Sequence, residues 1–153
     1  MKIIKIGDPL PDLNVEITGG KKMNLKGLLG APVILYFYPK DDTPGCTKES
    51  QDFRDAIDII KKKGAVVMGI SRDSLASHEK FISKYQLPFD LLSDPDEKLC
   101  QLFGVMKEKS MYGKIYTGIE RSTFLFDKKG LLVSEWRKVK VPGHANEVLE
   151  AIS

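Results

Sequence analysis

Cysteine is scarce in this chain of 153 residues: there are two, Cys46 and Cys100, far apart. A small secreted domain stapled by disulfides is not built that way, and a reducing compartment, the cytoplasm, fits better. The absence of Cys-x-x-Cys argues against a dithiol exchanger. Histidine is equally rare: His78 and His144 show no ligand spacing to each other or to the cysteines. No metal is therefore expected, and a Cys-His protease arrangement has nothing to suggest it. Long apolar runs are missing too. The longest, Val33 to Tyr38, falls far short of the roughly 20 residues a membrane helix needs, and the N-terminus lacks the apolar region of a signal peptide. Charge of one sign is also lacking. The net charge is +3, and acidic and basic residues interleave, as in Lys107-Glu108-Lys109, which weighs against nucleic-acid binding. Gly19-Gly20-Lys21-Lys22 does not have the spacing of a phosphate-binding loop, and no dinucleotide fingerprint occurs. Repeats, linkers and low-complexity stretches are absent, so a single domain over residues 1–153 is expected.

The patterning that remains is that of an α/β protein. Gly19-Gly20 sits between short strands at Asn14–Thr18 and Lys22–Asn24, predicting an N-terminal β-hairpin. Val33 to Tyr38 is apolar on both faces, as a covered central strand must be. Phe53, Ala56, Ile57 and Ile60 recur at helical spacing, and Lys61-Lys62-Lys63-Gly64 closes that helix. Strands are expected at Ala65–Ile70, Phe89–Leu92, Ser122–Asp127 and Leu131–Lys138. Helices are expected at Ser77–Tyr85, from Asp94 to Phe103, and at Ala145–Ile152. This order predicts a mixed sheet sandwiched by helices, which a thioredoxin-like architecture satisfies.

Within that frame Cys46 occupies a place that makes a thiol reactive. The apolar strand ends in Pro39-Lys40-Asp41-Asp42-Thr43-Pro44-Gly45-Cys46. Thr43 suits an N-cap and Pro44 the first helical position, which puts Cys46 in the first turn. A helix N-terminus carries free N–H groups and partial positive charge, and both favour a thiolate. Gly45 lets another group approach the backbone closely. Asp41 and Asp42 oppose a nearby negative sulfur, so a cation is needed to offset them.

The run Phe37 to Thr47, with Pro39, Thr43 and Cys46 in a Pro-x-x-x-Thr-x-x-Cys pattern, resembles the active-site signature of the peroxiredoxins in their bacterioferritin-comigratory-protein (PrxQ) branch. The resemblance continues through Phe53-Arg54-Asp55, Leu91 to Asp94, Lys109 to Lys114, Glu120 to Asp127 and Gly143-His144. It implies a thiol-dependent peroxidase for hydrogen peroxide and organic hydroperoxides, serving antioxidant defence without a cofactor. Cys46 would be the peroxidatic nucleophile that becomes a sulfenic acid. Thr43 would hold the peroxide, Arg121 would stabilise thiolate and peroxide oxygens, and Pro39 would shield the sulfur. Glu49 would orient Arg121, against the plain alternative of helix surface. The branch is often monomeric, which favours a monomer over a dimer.

The resolving thiol of the branch is missing from both of its usual positions, which here hold Gln51 and Ile82. Cys100 is the other candidate, but it adjoins Leu99, Leu102 and Phe103, and a small buried hydrophobe is the favoured reading. The expectation is a one-cysteine cycle with an external thiol as partner: thioredoxin, glutaredoxin or glutathione. The alternative from another class is a stress-related binding protein or holdase whose Cys46 senses oxidant without turnover.

Overall fold

A computed structural model describes residues 2–152. Its centre is a seven-stranded mixed sheet of β1 (Asn14–Ile17), β2 (Lys21–Asn24), β3 (Val33–Phe37), β4 (Val66–Ser71), β5 (Leu91–Ser93), β8 (Ser122–Phe126) and β9 (Leu132–Arg137), while β6 (Met106–Met111) and β7 (Lys114–Ile119) form a separate hairpin. The strand order is β2-β1-β5-β4-β3-β8-β9. β4 lies parallel to both β3 and β5, and the other pairings are antiparallel. The helices are α1 (Pro44–Asp55), α2 (Ile57–Lys62), α3 (Leu75–Tyr85), α4 (Lys98–Leu102) and α5 (His144–Glu150). This is the thioredoxin-like sandwich that the patterning predicts. Among the described residues no helix is long and apolar enough to cross a membrane.

Strand β3 divides the core. Val33, Leu35 and Phe37 pack on one face with Leu99, Cys100 and Phe103. Ile34 and Tyr36, with Tyr38 just beyond the strand, pack on the other with Cys46, Phe53, Ile60, Phe81 and Val148. Period-two alternation sends successive side chains to opposite faces, and every residue of β3 is buried. The two cysteines therefore belong to different layers.

One glycine fixes how α1 meets the sheet. Gly69 pairs with Tyr36 across β4 and β3, and a Cβ there would lie 2.7 Å from Tyr36 Cζ and 2.8 Å from Leu91 Cδ2. The tyrosine ring uses this space to stack on Phe53 of α1, with centroids 4.8 Å apart. Its hydroxyl meets Ser50 Oγ of α1 at 2.9 Å.

Three elements differ from expectation. The long helix after Cys46 is interrupted at Ala56, whose N–H is shared between the carbonyls of Asp52 and Phe53, each at 3.2 Å. The helix expected from Asp94 begins at Lys98. Asp94 folds back so that its carboxylate accepts from Leu99 N and Cys100 N, at 3.1 and 2.8 Å. Finally, a separate two-stranded hairpin, β6 (Met106–Met111) and β7 (Lys114–Ile119), precedes β8. It turns at Tyr112-Gly113, both with positive φ (53° and 77°), the geometry of a tight hairpin turn.

Replacing Gly69 by alanine is expected to lower stability by about 2 kcal/mol or more, because two well-packed side chains would have to move. Urea denaturation measures it, and an unchanged midpoint would contradict the packing described for Tyr36.

Candidate active site

Cys46 is the third residue of α1, and its residue exposure is 1%. Thr43 stands at the N-cap position with extended backbone, but its side chain does not cap the helix. Instead its hydroxyl donates to the Lys40 carbonyl at 2.8 Å. Thr43 thus holds the N-cap position expected of it, without a capping hydrogen bond from its side chain. The loop turns tightly enough for the hydroxyl to find a carbonyl of its own loop first. Two consequences follow. The helix start keeps its positive end uncapped by any side chain, and the lone pairs on Thr43 Oγ1 remain able to accept. Pro44 has no N–H to satisfy, so the free donors of this turn come from Gly45 and Cys46.

Arg121 lies between β7 and β8, and its carbonyl accepts from Val139 N at 2.9 Å. Its Nη2 is 3.4 Å from Cys46 Sγ, and its Nη1 donates to Glu49 Oε1 at 2.7 Å. Gly45 makes the approach possible, since a Cβ there would be 3.1 Å from Nη2. Glu49 follows Cys46 by almost one helical turn, so both side chains project on the same side of α1. The structure thus brings Cys46, Arg121 and Glu49 into direct contact and sets Thr43 at the start of the same turn. Pro39 sits half-buried in the preceding loop. Cys100 is not brought in: it lies in the other layer, and burial, with Asp94 beside it, pushes its pKa far up.

Glu49 is 2% exposed, and its Oε2 has no hydrogen-bond partner among the described residues. Burial pushes its carboxyl up to about 7, against the pull of Arg121. Burial also works against the charge of Arg121, but Glu49 and Cys46 outweigh it and its pKa rises. The two directions are compatible. The short Nη1–Oε1 contact favours the ion pair, while the unpartnered Oε2 makes the carboxylate costly to bury.

The two loop aspartates are engaged away from the role anticipated for them. Asp42 pairs with Lys84 Nζ at 2.8 Å and also accepts from the Tyr85 hydroxyl, and these two hydrogen bonds lower its pKa. Asp41 is buried. It accepts from Tyr38 Oη at 2.6 Å and Ser77 Oγ at 2.7 Å, and it meets His78 Nδ1 at 2.8 Å. Burial keeps the pKa of Tyr38 well above its ordinary value, so the phenol remains a donor. His78 Nε2 faces the Leu92 carbonyl at 2.8 Å and must carry a hydrogen, since a carbonyl only accepts. Asp73 takes Asp41 N and Ser71 Oγ at 2.8 and 2.6 Å.

Asp41, Asp73 and His78 bring ligand-type atoms within 4.8 Å of one another. Protein donors already occupy the carboxylates, so the cluster reads as a network tying the loop to α3. No sequence spacing signals it, because its members come from separate segments of the chain. His144 bonds Thr123 and Glu147.

Because folding raises the pKa of Glu49 from 4.5 to about 7, this side chain binds a proton more tightly in the folded protein than in the unfolded chain. Its contribution to stability is full below pH 4.5 and is lost as pH rises through 7. In urea titrations, the stability of the wild type relative to Glu49→Gln is expected to fall across that window. A difference that stays flat or rises would contradict the burial described.

Residues 6–134 match the AhpC/TSA family. The putative peroxiredoxin bcp of Coxiella burnetii is 51% identical over 146 residues, covering 95% of this chain and 97% of that protein. Peroxiredoxin Bcp of Bacillus subtilis is 49% identical over 149 residues, covering 97% and 95%. Among solved structures, Xanthomonas campestris peroxiredoxin Q superposes with a TM-score of 0.90 at 47% identity, covering 99% of this chain and 96% of that one. A bacterioferritin comigratory protein of the same organism, studied for its alkyl peroxide reduction activity, gives a TM-score of 0.90 at 46% identity, with 99% and 97% covered. With a cysteine at the mouth of α1 facing an arginine, and with relatives of this closeness along nearly its whole length, the chain belongs to the AhpC/TSA family, in its Bcp/PrxQ peroxiredoxin branch.

Proposed function

We propose that this protein is a thiol-dependent peroxidase reducing hydrogen peroxide and organic hydroperoxides through Cys46. The observation that carries the reading is Arg121 Nη2 set 3.4 Å from a sulfur in the first turn of an uncapped helix. The alkyl peroxide reduction studied in the X. campestris relative supports the substrate class.

The chemistry follows from the geometry. The Cys46 thiolate attacks one peroxide oxygen, a sulfur–oxygen bond forms, and the O–O bond breaks with two electrons drawn from sulfur. The departing oxygen takes a proton and leaves as water or an alcohol, and Cys46 becomes a sulfenic acid. Thr43 Oγ1, its hydrogen spent on Lys40, accepts from the hydroperoxide O–H. Arg121 and the free N–H groups of Gly45 and Cys46 face the negative charge as it moves from sulfur to oxygen. Donors fixed in advance are worth more here than mobile water. Pro39 shields the sulfur from water, and Glu49 holds the guanidinium in place.

In the second half of the cycle an external thiol attacks the sulfenic sulfur and releases water, and a second thiol frees Cys46 with formation of a disulfide. Thioredoxin, glutaredoxin or glutathione would serve, in the reducing cytoplasm. Support for an external thiol is spatial: Gln51 and Ile82 stand at the branch's usual resolving positions, and Cys100 packs in the opposite layer. Cys46 is buried, with 1% of the residue exposed, so the first turn of α1 has to loosen for a protein thiol to reach it.

Cys46→Ser is expected to abolish peroxide turnover while leaving the circular dichroism spectrum unchanged. Unchanged turnover in this variant would defeat the role given to Cys46, whereas a wild type that is oxidised at Cys46 without turnover would be the redox-sensing holdase. Cys100→Ser is expected to keep turnover with an external thiol. Mass spectrometry of peroxide-treated wild type should find the sulfenic acid or a mixed disulfide at Cys46, whereas a quantitative Cys46–Cys100 disulfide would overturn the one-cysteine cycle.

A further inference from the structure

The β6–β7 hairpin has no face buried in the core along most of its length, yet one of its side chains reaches back toward the active site. Lys109 pairs with Tyr116 in the hairpin register, but its Nζ donates to the carbonyl of Ile119 at 2.6 Å. To get there its stem crosses β7 over Gly118. A Cβ on that glycine would lie 3.4 Å from Lys109 Cδ and 3.6 Å from Cε. Ile119 is fully buried and stands two residues before Arg121. The residue between them is also held, since Glu120 N donates to Val105 O at 2.8 Å.

We propose that Lys109 is a positioning residue for Arg121: its ammonium fixes the Ile119 carbonyl and so sets where the chain delivers the guanidinium between Cys46 and Glu49. The lysine is half-buried. Burial lowers its pKa, Arg121 adds to that, and Cys46 and Glu120 pull the other way. An ammonium donating to a carbonyl makes a short, charge-assisted hydrogen bond, and a small misplacement of a reacting group is enough to slow a reaction strongly. The inference rests on the peroxidase reading for its purpose, but not for its test.

The test is a double-mutant cycle in a Cys100→Ser background, where Cys46 is the sole thiol. Two rates are read: single-turnover oxidation of Cys46 by hydrogen peroxide, and alkylation of Cys46 by iodoacetamide. Lys109→Met is expected to slow both by about tenfold and to add nothing once Arg121 is alanine, since residues acting through one another are not additive. Gly118→Val keeps the lysine but crowds its stem, and it should show the same loss if the methionine variant does not fold. Wild-type rates in these variants would overturn the proposal. So would an equal loss with and without Arg121, because that would mean a direct effect of charge or a general loosening. If the wild type fails to reduce peroxide, the peroxidase reading falls by itself, and the alkylation cycle still decides the role of Lys109.

Discussion

A guanidinium held between a buried carboxylate and a sulfur is the interaction on which the rest of this structure depends. Arg121 bonds Glu49 through one nitrogen and faces Cys46 through another. Each contact alone would leave the arginine free to rotate, but together they fix the plane of its fork. The arrangement is demanding. Glu49 is buried, with one oxygen unpartnered among the described residues, and removing one member of such a pair typically costs about 3–5 kcal/mol. A buried ion pair is weak evidence for stability, so its presence beside Cys46 points to placement of the guanidinium as its purpose.

Much of the fold can be read as support for that contact. Gly69 leaves room for Tyr36, Tyr36 stacks on Phe53 and meets Ser50, and α1 is thereby set against the sheet with Cys46 at its mouth. Gly45 omits the one side-chain atom that would crowd the guanidinium. Behind the loop, Asp41 gathers Tyr38, Ser77 and His78 into a buried network. That network anchors the segment leading to Thr43 against α3. At the surface Asp42 is held by Lys84 and Tyr85 of the same helix.

How much of this was legible in the sequence follows the range of the interactions. The start of α1 could be read because Thr43-Pro44-Gly45-Cys46 is a local instruction, and β3 because five buried residues in a row leave no other reading. The pairing of Arg121 with Glu49 and Cys46 spans more than seventy residues; it was anticipated through family resemblance, as no spacing encodes it. The Asp41–His78 network has no signature in the sequence, because its members lie 37 residues apart and only folding brings them together. The β6–β7 hairpin carries no period-two burial pattern, since neither face is buried for most of its length, and the positive φ angles of its turn at Tyr112-Gly113 emerge only in the fold. The break at Ala56 left no trace in the apolar spacing, because the residues on both sides of it face the same layer.

The central claim is that Arg121, and not the helix start alone, makes Cys46 reactive toward the O–O bond. Rapid-quench measurement of Cys46 oxidation in a single turnover tests it most directly. Arg121→Ala should slow the reaction by roughly a hundredfold or more, and Arg121→Lys should recover only part of that, because a single ammonium cannot bridge Glu49 and the sulfur as a planar fork does. A rate for Arg121→Ala within about twofold of wild type, well below the hundredfold scale of a lost donor, would contradict the account.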